Sequence, residues 1–356
     1  MGNLNLEIFK GKSVFITGHT GFKGSWLSFW LTELGAKVTG FALEPEQPQI
    51  LFNQLSLRDK IHHITGDLRD EKKLLYEMQN ANPEFVFHLA AQSLVRTSYQ
   101  EPQLTFATNV LGSVNLLEAV RKCESVRSLV YITSDKCYLN KEWVWGYREN
   151  DELGGPDPYS ASKACAEHVF KSYYLSYFIA RAHFGCGSTR AGNVIGGGDY
   201  SYDRIVPDLI KSVVTNKALE LRNPNSTRPW QHVLDPLYGY LTLASKLYEQ
   251  PKFFSGGSWN FGPSGNSIRK VSELVDKLSN VLQQEIKIKV NHSATMPEAT
   301  LLHLSIDKAK DLLKWNPKWE FDIAVQKTGE WYKQMISAAD ITDITRKQIL
   351  DFSKTV

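Results

Sequence analysis

Tyr159 and Lys163, in the run YSASK, can form an acid–base pair if this segment is helical. Residues at i and i+4 share one helical face, which brings the ammonium close to the phenol. The positive charge would lower the pKa of the phenol from about 10 and make the tyrosinate a usable base near neutral pH. A solvated helix face explains the same spacing in isolation, so the prediction depends on the residues around the pair.

Three further polar side chains follow a segment that predicts a strand. The run SLVYIT, residues 128–133, is rich in β-branched and aromatic residues, and Ser134, Asp135 and Lys136 come directly after it. The serine at this strand end and the Tyr-x-x-x-Lys pair, with a glycine-rich turn earlier in the chain, form a three-part match in one order that coincidence explains poorly. With the tyrosine and the lysine, Ser134, Asp135 and Lys136 make up the predicted catalytic set.

A glycine-rich turn near the start of the chain predicts a dinucleotide site. Three glycines spaced G-x-x-G-x-x-G follow the apolar run SVFIT, residues 13–17, and open an apolar pattern that predicts an amphipathic helix. Glycine permits positive φ angles and a close approach of the backbone to a pyrophosphate at the helix N-terminus. An ordinary loop is the alternative, but the flanking strand and helix favour cofactor binding. The predicted cofactor-binding residues of this turn are Gly18, His19, Gly21, Phe22, Lys23 and Gly24.

Further cofactor contacts are predicted where later strands end. Residues 61–67 and 85–89 each predict a strand, and the small residues after the second would let a cofactor lie against the backbone. An asparagine inside the helical segment 104–123 is unfavourable for a helix, which favours a polar role near the cofactor. These predicted residues are Asp67, Leu68, Leu89, Ala90, Ala91 and Asn109.

The second predicted strand, residues 36–43, bears on the choice between NAD and NADP. An acidic residue at its carboxyl end would hold the adenosine ribose, but Ala42 stands at that place and Glu44 follows two positions later. Glu44 could substitute, although a solvated loop carboxylate is an equal alternative. No arginine cluster offers a partner for a 2′-phosphate here, which favours NAD.

Composition indicates an ordinary globular protein and excludes several classes of partner. The 356 residues are 42% hydrophobic and 22% charged, with a net charge of +3 and no long basic run, which disfavours nucleic acid. No segment has the apolar length of a membrane span or a signal peptide, so we expect a cytoplasmic protein. The four cysteines lack C-x-x-C pairs, and His62-His63 has no third ligand nearby. We therefore expect no metal, no disulfide framework and a structural or surface role for the two histidines.

The chain resembles the extended short-chain dehydrogenase/reductases and, within them, the nucleotide-sugar 4,6-dehydratases that act on CDP-glucose. The blocks that carry the resemblance are GHTGFKGSWL, TSDKCY, WVWGYREN, YSASK, RAGNVIGGGD and RPWQHVLDPL, which together extend from residue 18 to residue 237. The resemblance implies an α/β fold, with a Rossmann-like doubly wound parallel sheet and a smaller C-terminal substrate-binding lobe. It also implies bound NAD, a role in deoxysugar and lipopolysaccharide biosynthesis, and a homodimer formed through a four-helix interface.

The same resemblance implies a division of the chain and a set of substrate contacts. Residues 1–190 would form the NAD-binding domain and residues 191–356 mainly the substrate lobe, with residues 230–263 returning to the first domain. Ser134 and Asn193 would contact the sugar nucleotide, and two arginines would bind its diphosphate, although either could be a structural ion pair. Glu298 lies in a block that resembles substrate-contacting segments, with a surface carboxylate as the alternative. The two arginines are Arg204 and Arg228.

In the implied reaction, Tyr159 takes the proton from the sugar O4 while hydride leaves C4 for NAD. Ser134 binds that oxygen, and Lys163 holds the cofactor ribose. The resulting 4-ketone acidifies C5, Asp135 protonates the departing 6-hydroxyl, and the hydride returns to C6. Many sugar dehydratases carry Glu where this chain has Lys136. That lysine is the C5 base if its pKa falls from about 10.4 towards 7–8, or it is a cation that stabilises the enolate.

Three alternatives share the predicted architecture. A 4-epimerase would return hydride to C4, but such enzymes usually lack the Ser-Asp-Lys run. A dehydratase could act on another nucleotide-activated hexose, because physical reasoning alone does not identify the base. A non-catalytic NAD-binding regulator often loses the tyrosine or the lysine, and this chain has both.

Overall fold

The computed structural model describes residues 6–45, 49–290 and 301–355, so Glu298 lies outside the described residues. The strands are Ser13–Thr17 (β1), Lys37–Ala42 (β2), His62–Thr65 (β3), Phe85–His88 (β4), Ser128–Ile132 (β5), Gly185–Ala191 (β6), Val194–Ile195 (β7), Leu219–Leu221 (β8), Thr227–Pro229 (β9), Gln231–His232 (β10), Ser258–Phe261 (β11), Ile268–Lys270 (β12) and Ile288–Val290 (β13). The sequence-based strands near residues 13–17, 36–43, 61–67, 85–89 and 128–133 are confirmed to within about two residues at each end.

The α-helices alternate with these strands in the first half of the chain. They are Phe22–Glu33 (α1), Leu51–Gln54 (α2), Leu57–Lys60 (α3), Glu71–Ala81 (α4), Val95–Gln100 (α5), Pro102–Phe106 (α6), Gly112–Arg121 (α7), Pro158–Tyr173 (α8), Ile205–Thr215 (α9), Leu234–Glu249 (α10), Pro251–Phe254 (α11), Val271–Leu282 (α12), Phe321–Ile336 (α13) and Ile341–Lys354 (α14). Within the described ranges, the π-helical segments are Ala107–Leu111, Tyr174–Phe178 and Ala309–Leu313, and the 3₁₀ turns are Leu6–Phe9, Asp135–Cys137 and Gly265–Ser267.

A seven-stranded parallel sheet forms the centre of the protein. Its strand order is β11-β6-β5-β4-β1-β2-β3, and every neighbouring pair runs parallel. The chain builds outwards from β1 in one direction through β2 and β3, and then in the other from β4. The order therefore reverses between β1 and β4, which is where doubly wound sheets bind their ligands. The predicted Rossmann-like doubly wound fold is confirmed.

Helix α1 differs from the amphipathic helix that its sequence pattern predicts. Eight consecutive residues from Gly24 to Leu31 are buried, so the helix is covered on every face. Trp26 donates its indole N–H to the carbonyl of Gly197 over 2.9 Å, and the Trp30 ring lies 6.0 Å from that of Phe352. Segments from the C-terminal half cover what would be the solvent face of an isolated helix, and a helix that is apolar all round is a buried one.

The C-terminal half contributes both to the central sheet and to separate small sheets. Strand β11 pairs with β6 at the sheet edge, and helix α10 packs against β5 and β6. The other late strands form two-stranded pairs, β10 with β7, β12 with β9 and β13 with β8. Residues 234–261 thus lie against the first half of the chain, whereas the proposed division near residue 190 stays a prediction.

None of the described helices has the length and apolar character needed to cross a membrane. Within the described ranges, no group of three or more His, Cys, Asp and Glu side chains could hold a metal ion. All four cysteines are free thiols, and Cys165 is the exposed one among them.

Candidate active site

A cavity of about 710 Å³ opens at the carboxyl ends of the central strands, beside the point where the strand order reverses. Three parts of the chain line it: an amino-terminal wall from residues 18–108, the strand end and helix start at residues 132–163, and a carboxy-terminal wall from residues 191–271. The predicted residues that line the cavity are Gly18, Gly21, Phe22, Lys23, Gly24, Asp67, Leu68, Leu89, Ala90, Ala91, Ser134, Asp135, Lys136, Tyr159, Lys163, Asn193, Arg204 and Arg228.

Close backbone contacts explain the glycines of the turn between β1 and α1. Gly18 has φ of +76°, and a Cβ there would lie 2.6 Å from the backbone nitrogen of Ala90. A Cβ on Gly24 would lie 2.1 Å from the carbonyl oxygen of Gly18. Gly21 is the N-cap of α1 and provides no side-chain hydrogen bond to its first turn. The free N–H groups of this turn therefore suit an anion such as a phosphate.

Tyr159 is fixed at the start of α8 by contacts on both sides. Asp157 caps the helix by accepting a 2.9 Å hydrogen bond from the Ser160 N–H, and the Tyr159 N–H donates to Ser98 Oγ over 3.1 Å. Burial raises the pKa of Tyr159 to about 12, and a hydrogen bond with Ser134 opposes that rise. Burial likewise lowers the pKa of Lys163 to about 8.

These pKa directions correct the expectation that Lys163 lowers the pKa of Tyr159. The phenolate loses its hydration in the buried site, and this cost outweighs the favourable interactions that the surrounding protein offers. The Ser134 hydroxyl and the positive charge of Arg204 are the groups that lower the pKa of Tyr159. The i and i+4 spacing of the helix is confirmed, but spacing alone does not predict desolvation.

Ser134, Asp135 and Lys136 meet at the short 3₁₀ turn after β5. Ser134 Oγ donates to Asp135 Oδ1 over 3.0 Å and accepts a 3.2 Å hydrogen bond from the Lys136 N–H. Burial raises the pKa of Asp135, while the charges of Lys136 and Lys23 oppose that rise. A buried carboxyl with a raised pKa holds a proton more readily, which is the property that a general acid needs.

A buried ion pair holds the end of β5 against α8 and β6. Arg190 and Glu167 form it with 2.8 Å between Nη2 and Oε2, and their side chains are 2% and 3% exposed. Glu167 also accepts a hydrogen bond from Thr133 Oγ1 over 2.5 Å, one residue before Ser134. The Arg190 Nη1 donates to the Tyr138 hydroxyl over 2.8 Å. This network ties both ends of the Ser-Asp-Lys turn to the helix that carries Tyr159.

Comparison with known proteins assigns the chain to a family. The family profile described as GDP-mannose 4,6 dehydratase matches residues 15–328. A CDP-glucose 4,6-dehydratase from Salmonella typhimurium is 44% identical over 353 residues, which cover 98% of this chain and 98% of that protein. The chain belongs to the GDP-mannose 4,6 dehydratase family. The resemblance that the sequence blocks indicated is confirmed.

Solved structures share the fold of this GDP-mannose 4,6 dehydratase family member over nearly its whole length. A dTDP-glucose 4,6-dehydratase from Bacillus anthracis, in complex with NAD, matches with a TM-score of 0.74 at 22% identity and covers 92% of this chain and 98% of its own. A UDP-glucose 4-epimerase from Thermotoga maritima, with UDP-glucose, matches with a TM-score of 0.77 at 22% identity and covers 91% of this chain and 99% of its own. At these identities the likeness shows the common fold alone.

Asn109 and His19 lie behind the cavity wall of this dehydratase family member. Asn109 Oδ1 accepts a 2.8 Å hydrogen bond from the Gln92 N–H, and its Nδ2 donates to Gln92 O over 3.0 Å and to Ser162 Oγ over 2.9 Å. Asn109 thus fixes the loop after β4 to helix α8. His19 is buried, with its Nε2 2.7 Å from Nδ1 of His63.

The histidine pair and Glu44 belong to one buried-to-surface network. His63 Nε2 lies 3.5 Å from Glu44 Oε2, which also accepts a 2.8 Å hydrogen bond from Thr65. Arg58 pairs with the same carboxylate. A structural role for His63 is confirmed, and Glu44 supports the turn from outside the cavity wall. The wall beside Ala42 carries Asp67, which forms an ion pair with Arg69.

Arg204 on the carboxy-terminal wall and Lys23 on the amino-terminal wall bring two positive charges to the cavity. Arg204 forms an ion pair with Asp199, with 3.0 Å between Nη1 and Oδ2, and lines the cavity at the same time. Lys23 is partly buried near Arg204, Lys163 and Asp135, and desolvation lowers its pKa to about 8, which sequence reasoning did not predict. Asp199, which follows three consecutive glycines at residues 196–198, is the sequence signal that could have indicated the partner of Arg204.

Proposed function

We propose that this protein dehydrates CDP-D-glucose to CDP-4-keto-6-deoxy-D-glucose with bound NAD, as a hydro-lyase of deoxysugar biosynthesis. The observation that carries the proposal is the 44% identity to a CDP-glucose 4,6-dehydratase over 98% of both chains. The predicted catalytic set supports it, because the Ser-Asp-Lys turn and the Tyr-Lys pair line one cavity.

The amino-terminal wall fits a dinucleotide. A Cβ at Gly18 or Gly24 would collide with backbone atoms, so these positions require glycine. The resulting tight turn can bring the backbone close to a pyrophosphate at the start of α1. Ala90 and Ala91 line the cavity at the end of β4, where small side chains leave room for a nicotinamide. Asp67 lines the same wall as Ala42 and is one of the predicted cofactor contacts.

The chain's own residues supply the first proton transfer. NAD, when bound, takes up the hydride from C4 and returns it to C6. Tyr159 removes the proton from the sugar O4, and Ser134 binds that oxygen. Lys163 lies one helical turn from Tyr159 and would hold the cofactor ribose, while the positive charge of Arg204 stabilises the phenolate that Tyr159 becomes. Deprotonation of a phenol whose pKa is raised to about 12 requires such nearby positive charge.

The elimination of water needs one acid and one base. Asp135 is buried, and its raised pKa suits it to protonate the departing 6-hydroxyl. Lys136 lines the cavity beside it and removes the C5 proton in its neutral form, or stabilises the enolate in its charged form. Asn193, Arg204 and Arg228 then hold the nucleotide portion from the carboxy-terminal wall.

A homodimer in the cytoplasm completes the proposal. The helices around residues 102–121 and 158–178 carry exposed apolar side chains that a partner's equivalent helices would cover. Four of them are Phe106, Leu111, Leu175 and Tyr177, with exposed fractions of 38%, 52%, 54% and 52%. The same proposal includes a first domain of residues 1–190, to which residues 230–263 return, and a substrate lobe formed mainly by residues 191–356.

Incubation of the purified protein and NAD with CDP-glucose, dTDP-glucose or GDP-mannose tests the reaction. Mass spectrometry should show the loss of one water from CDP-glucose, and alkali should develop the absorbance of a keto sugar. If only dTDP-glucose or only GDP-mannose loses water, the protein is a dehydratase with that nucleotide sugar as its substrate. A new isomer of unchanged mass would indicate an epimerase, and no conversion of any substrate would favour a cofactor-binding regulator.

A further inference from the structure

The carboxy-terminal wall contains a carboxylate that the reaction does not use. Asp208 lies in the first turn of α9, and its N–H donates to the carbonyl of Arg204 over 2.9 Å. Arg204 is the N-cap of that helix, and its charge acts on Tyr159. Asp208 therefore lies one helical turn beyond the residue that connects α9 to the catalytic set, and it lines the same cavity.

The Asp208 carboxylate accepts no hydrogen bond from residues 6–45, 49–290 or 301–355. Its pKa is raised by burial and by the negative charge of Asp203, and lowered by the charges of Arg222, Lys211 and Arg96. These charged groups act at a distance, since no ion pair within 4.0 Å joins Asp208 to any described cation. A half-buried carboxylate in this state gains stability from any ligand group that donates a hydrogen bond to it.

The neighbouring carboxylates of the wall are already paired. Asp203 Oδ1 accepts a 2.9 Å hydrogen bond from Arg96, and Asp199 binds Arg204. Glu220 on β8 forms an ion pair with Lys289, with 3.8 Å between Oε1 and Nζ, and its side chain is 58% exposed. Asp208 is thus the carboxylate on this wall that is both partly withdrawn from water and open to a ligand.

Substrate chemistry places the nucleoside on the same wall. When O4 of the sugar is at Tyr159, C1 lies across the pyranose ring, so the diphosphate and the base extend away from Tyr159. Arg204, Arg222 and Arg228 line the carboxy-terminal wall and offer guanidinium groups for the diphosphate. The nucleoside would then lie against the start of α9 and strand β8, where Asp208 and Leu221 line the cavity.

We propose that Asp208 selects the base of the nucleotide by accepting a hydrogen bond from the exocyclic amine of cytosine. This inference rests on the proposed function, because it assumes a cytidine substrate. Uracil and thymine carry a carbonyl oxygen at the position of that amine, and two acceptors facing each other repel. The carboxylate therefore favours cytosine and disfavours the other pyrimidines in one contact.

The test compares CDP-glucose with UDP-glucose in the wild-type protein and in Asp208→Asn. An amide can turn either its oxygen or its NH₂ group towards the base, so the variant should accept both pyrimidines. We expect the ratio of kcat/KM for the two substrates to fall by about ten-fold or more. Calorimetric binding of CDP and UDP, measured without turnover, should show the same loss of preference. Asp208→Ser provides a second variant if the first does not fold.

Several outcomes would overturn the assignment, and they are distinct from failure of the proposed function. An unchanged ratio in both Asp208 variants would do so, as would an equal loss for both substrates, which indicates a contact with ribose or phosphate. A changed ratio in Glu220→Gln, with none in the Asp208 variants, would transfer the role to Glu220. If the wild-type protein dehydrates neither substrate, the proposed function fails. The role of Asp208 is then still tested by calorimetry, which compares the affinities for CDP and UDP in the wild-type protein and in the Asp208 variants.

Discussion

Ser134 donates a hydrogen bond to the carboxylate of its own neighbour, with 3.0 Å between its Oγ and Asp135 Oδ1. A hydroxyl has one proton, so Ser134 cannot donate to Asp135 and at the same time to Tyr159 or to a substrate oxygen. Loss of this hydrogen bond would remove one of the interactions that lower the pKa of Asp135. Substrate binding at Ser134 would therefore favour the protonated carboxyl that elimination requires.

Asp135→Asn should separate the two halves of the reaction. The amide cannot protonate the departing hydroxyl, so we expect overall turnover to fall about 10²–10⁴-fold. Oxidation at C4 does not need this acid, and reduced cofactor should therefore appear on mixing with substrate. Tyr159→Phe is the matched control, because it blocks the first step and should give neither reduced cofactor nor product. Full turnover by the Asn variant would exclude the acid role.

Lys136→Met and Lys136→Glu should distinguish a base from a fixed positive charge. Methionine can neither accept a proton nor carry a charge, so either role predicts a large loss of activity. Glutamate can accept a proton but would destabilise a nearby enolate, so its activity depends on which role applies. Exchange of the C5 hydrogen with deuterated solvent measures the base step directly. Retained activity in the Glu variant supports the base, whereas a fully active Met variant rules it out.

Arg190→Met should lower the free energy of unfolding by about 3–5 kcal/mol, because it leaves the buried carboxylate of Glu167 without its partner. The double variant Arg190→Met, Glu167→Leu should recover part of that loss, since it removes both buried charges. Urea unfolding monitored by circular dichroism measures both. Arg121→Met is the control, because Arg121 and Glu118 form an exposed i,i+3 pair. Equal stability of the single and double variants would contradict a buried charge as the cause.

The protein should lose stability as the pH falls below 6.5, and His232 should contribute to this loss. Burial lowers the pKa of His232 from 6.5 to about 3 in the folded protein. The unfolded chain therefore binds more protons between these values, and the neutral histidine's contribution is complete above pH 6.5 and lost as the pH falls towards 3. The slope reaches about 1.4 kcal/mol per pH unit for one histidine.

Urea unfolding between pH 7 and pH 4 checks this contribution. His232→Gln should show a shallower loss of stability with falling pH than the wild-type protein, since glutamine does not titrate. His232 lies between Trp26 and Trp319, with ring centroids 6.1 Å and 4.8 Å away, so we expect the variant to be less stable at every pH. The quantity to compare is therefore the slope of the free energy of unfolding against pH, not its absolute value. Parallel curves for the variant and the wild-type protein would contradict a contribution from His232.

Local sequence patterns predicted most of the elements that position the site. The strand, the glycine turn and the helix at residues 13–33 follow from apolar runs and from the conformational freedom of glycine, which act within a few residues. The strand end at Ser134 and the helix start at Tyr159 follow in the same way. Parallel topology then brings such strand ends to one edge of the sheet, which is why most of the predicted residues line one cavity.

Contacts between distant segments account for what the patterns missed. The buried state of α1, the network of His19, His63 and Glu44, and the charges around Asp208 join residues far apart in the chain. The raised pKa of Tyr159 has the same origin, because desolvation depends on everything packed around the hydroxyl. The sequence by itself thus establishes which chemical groups are available and which elements carry them. Tertiary packing sets their protonation and their partners, because burial and electrostatics depend on distances in space.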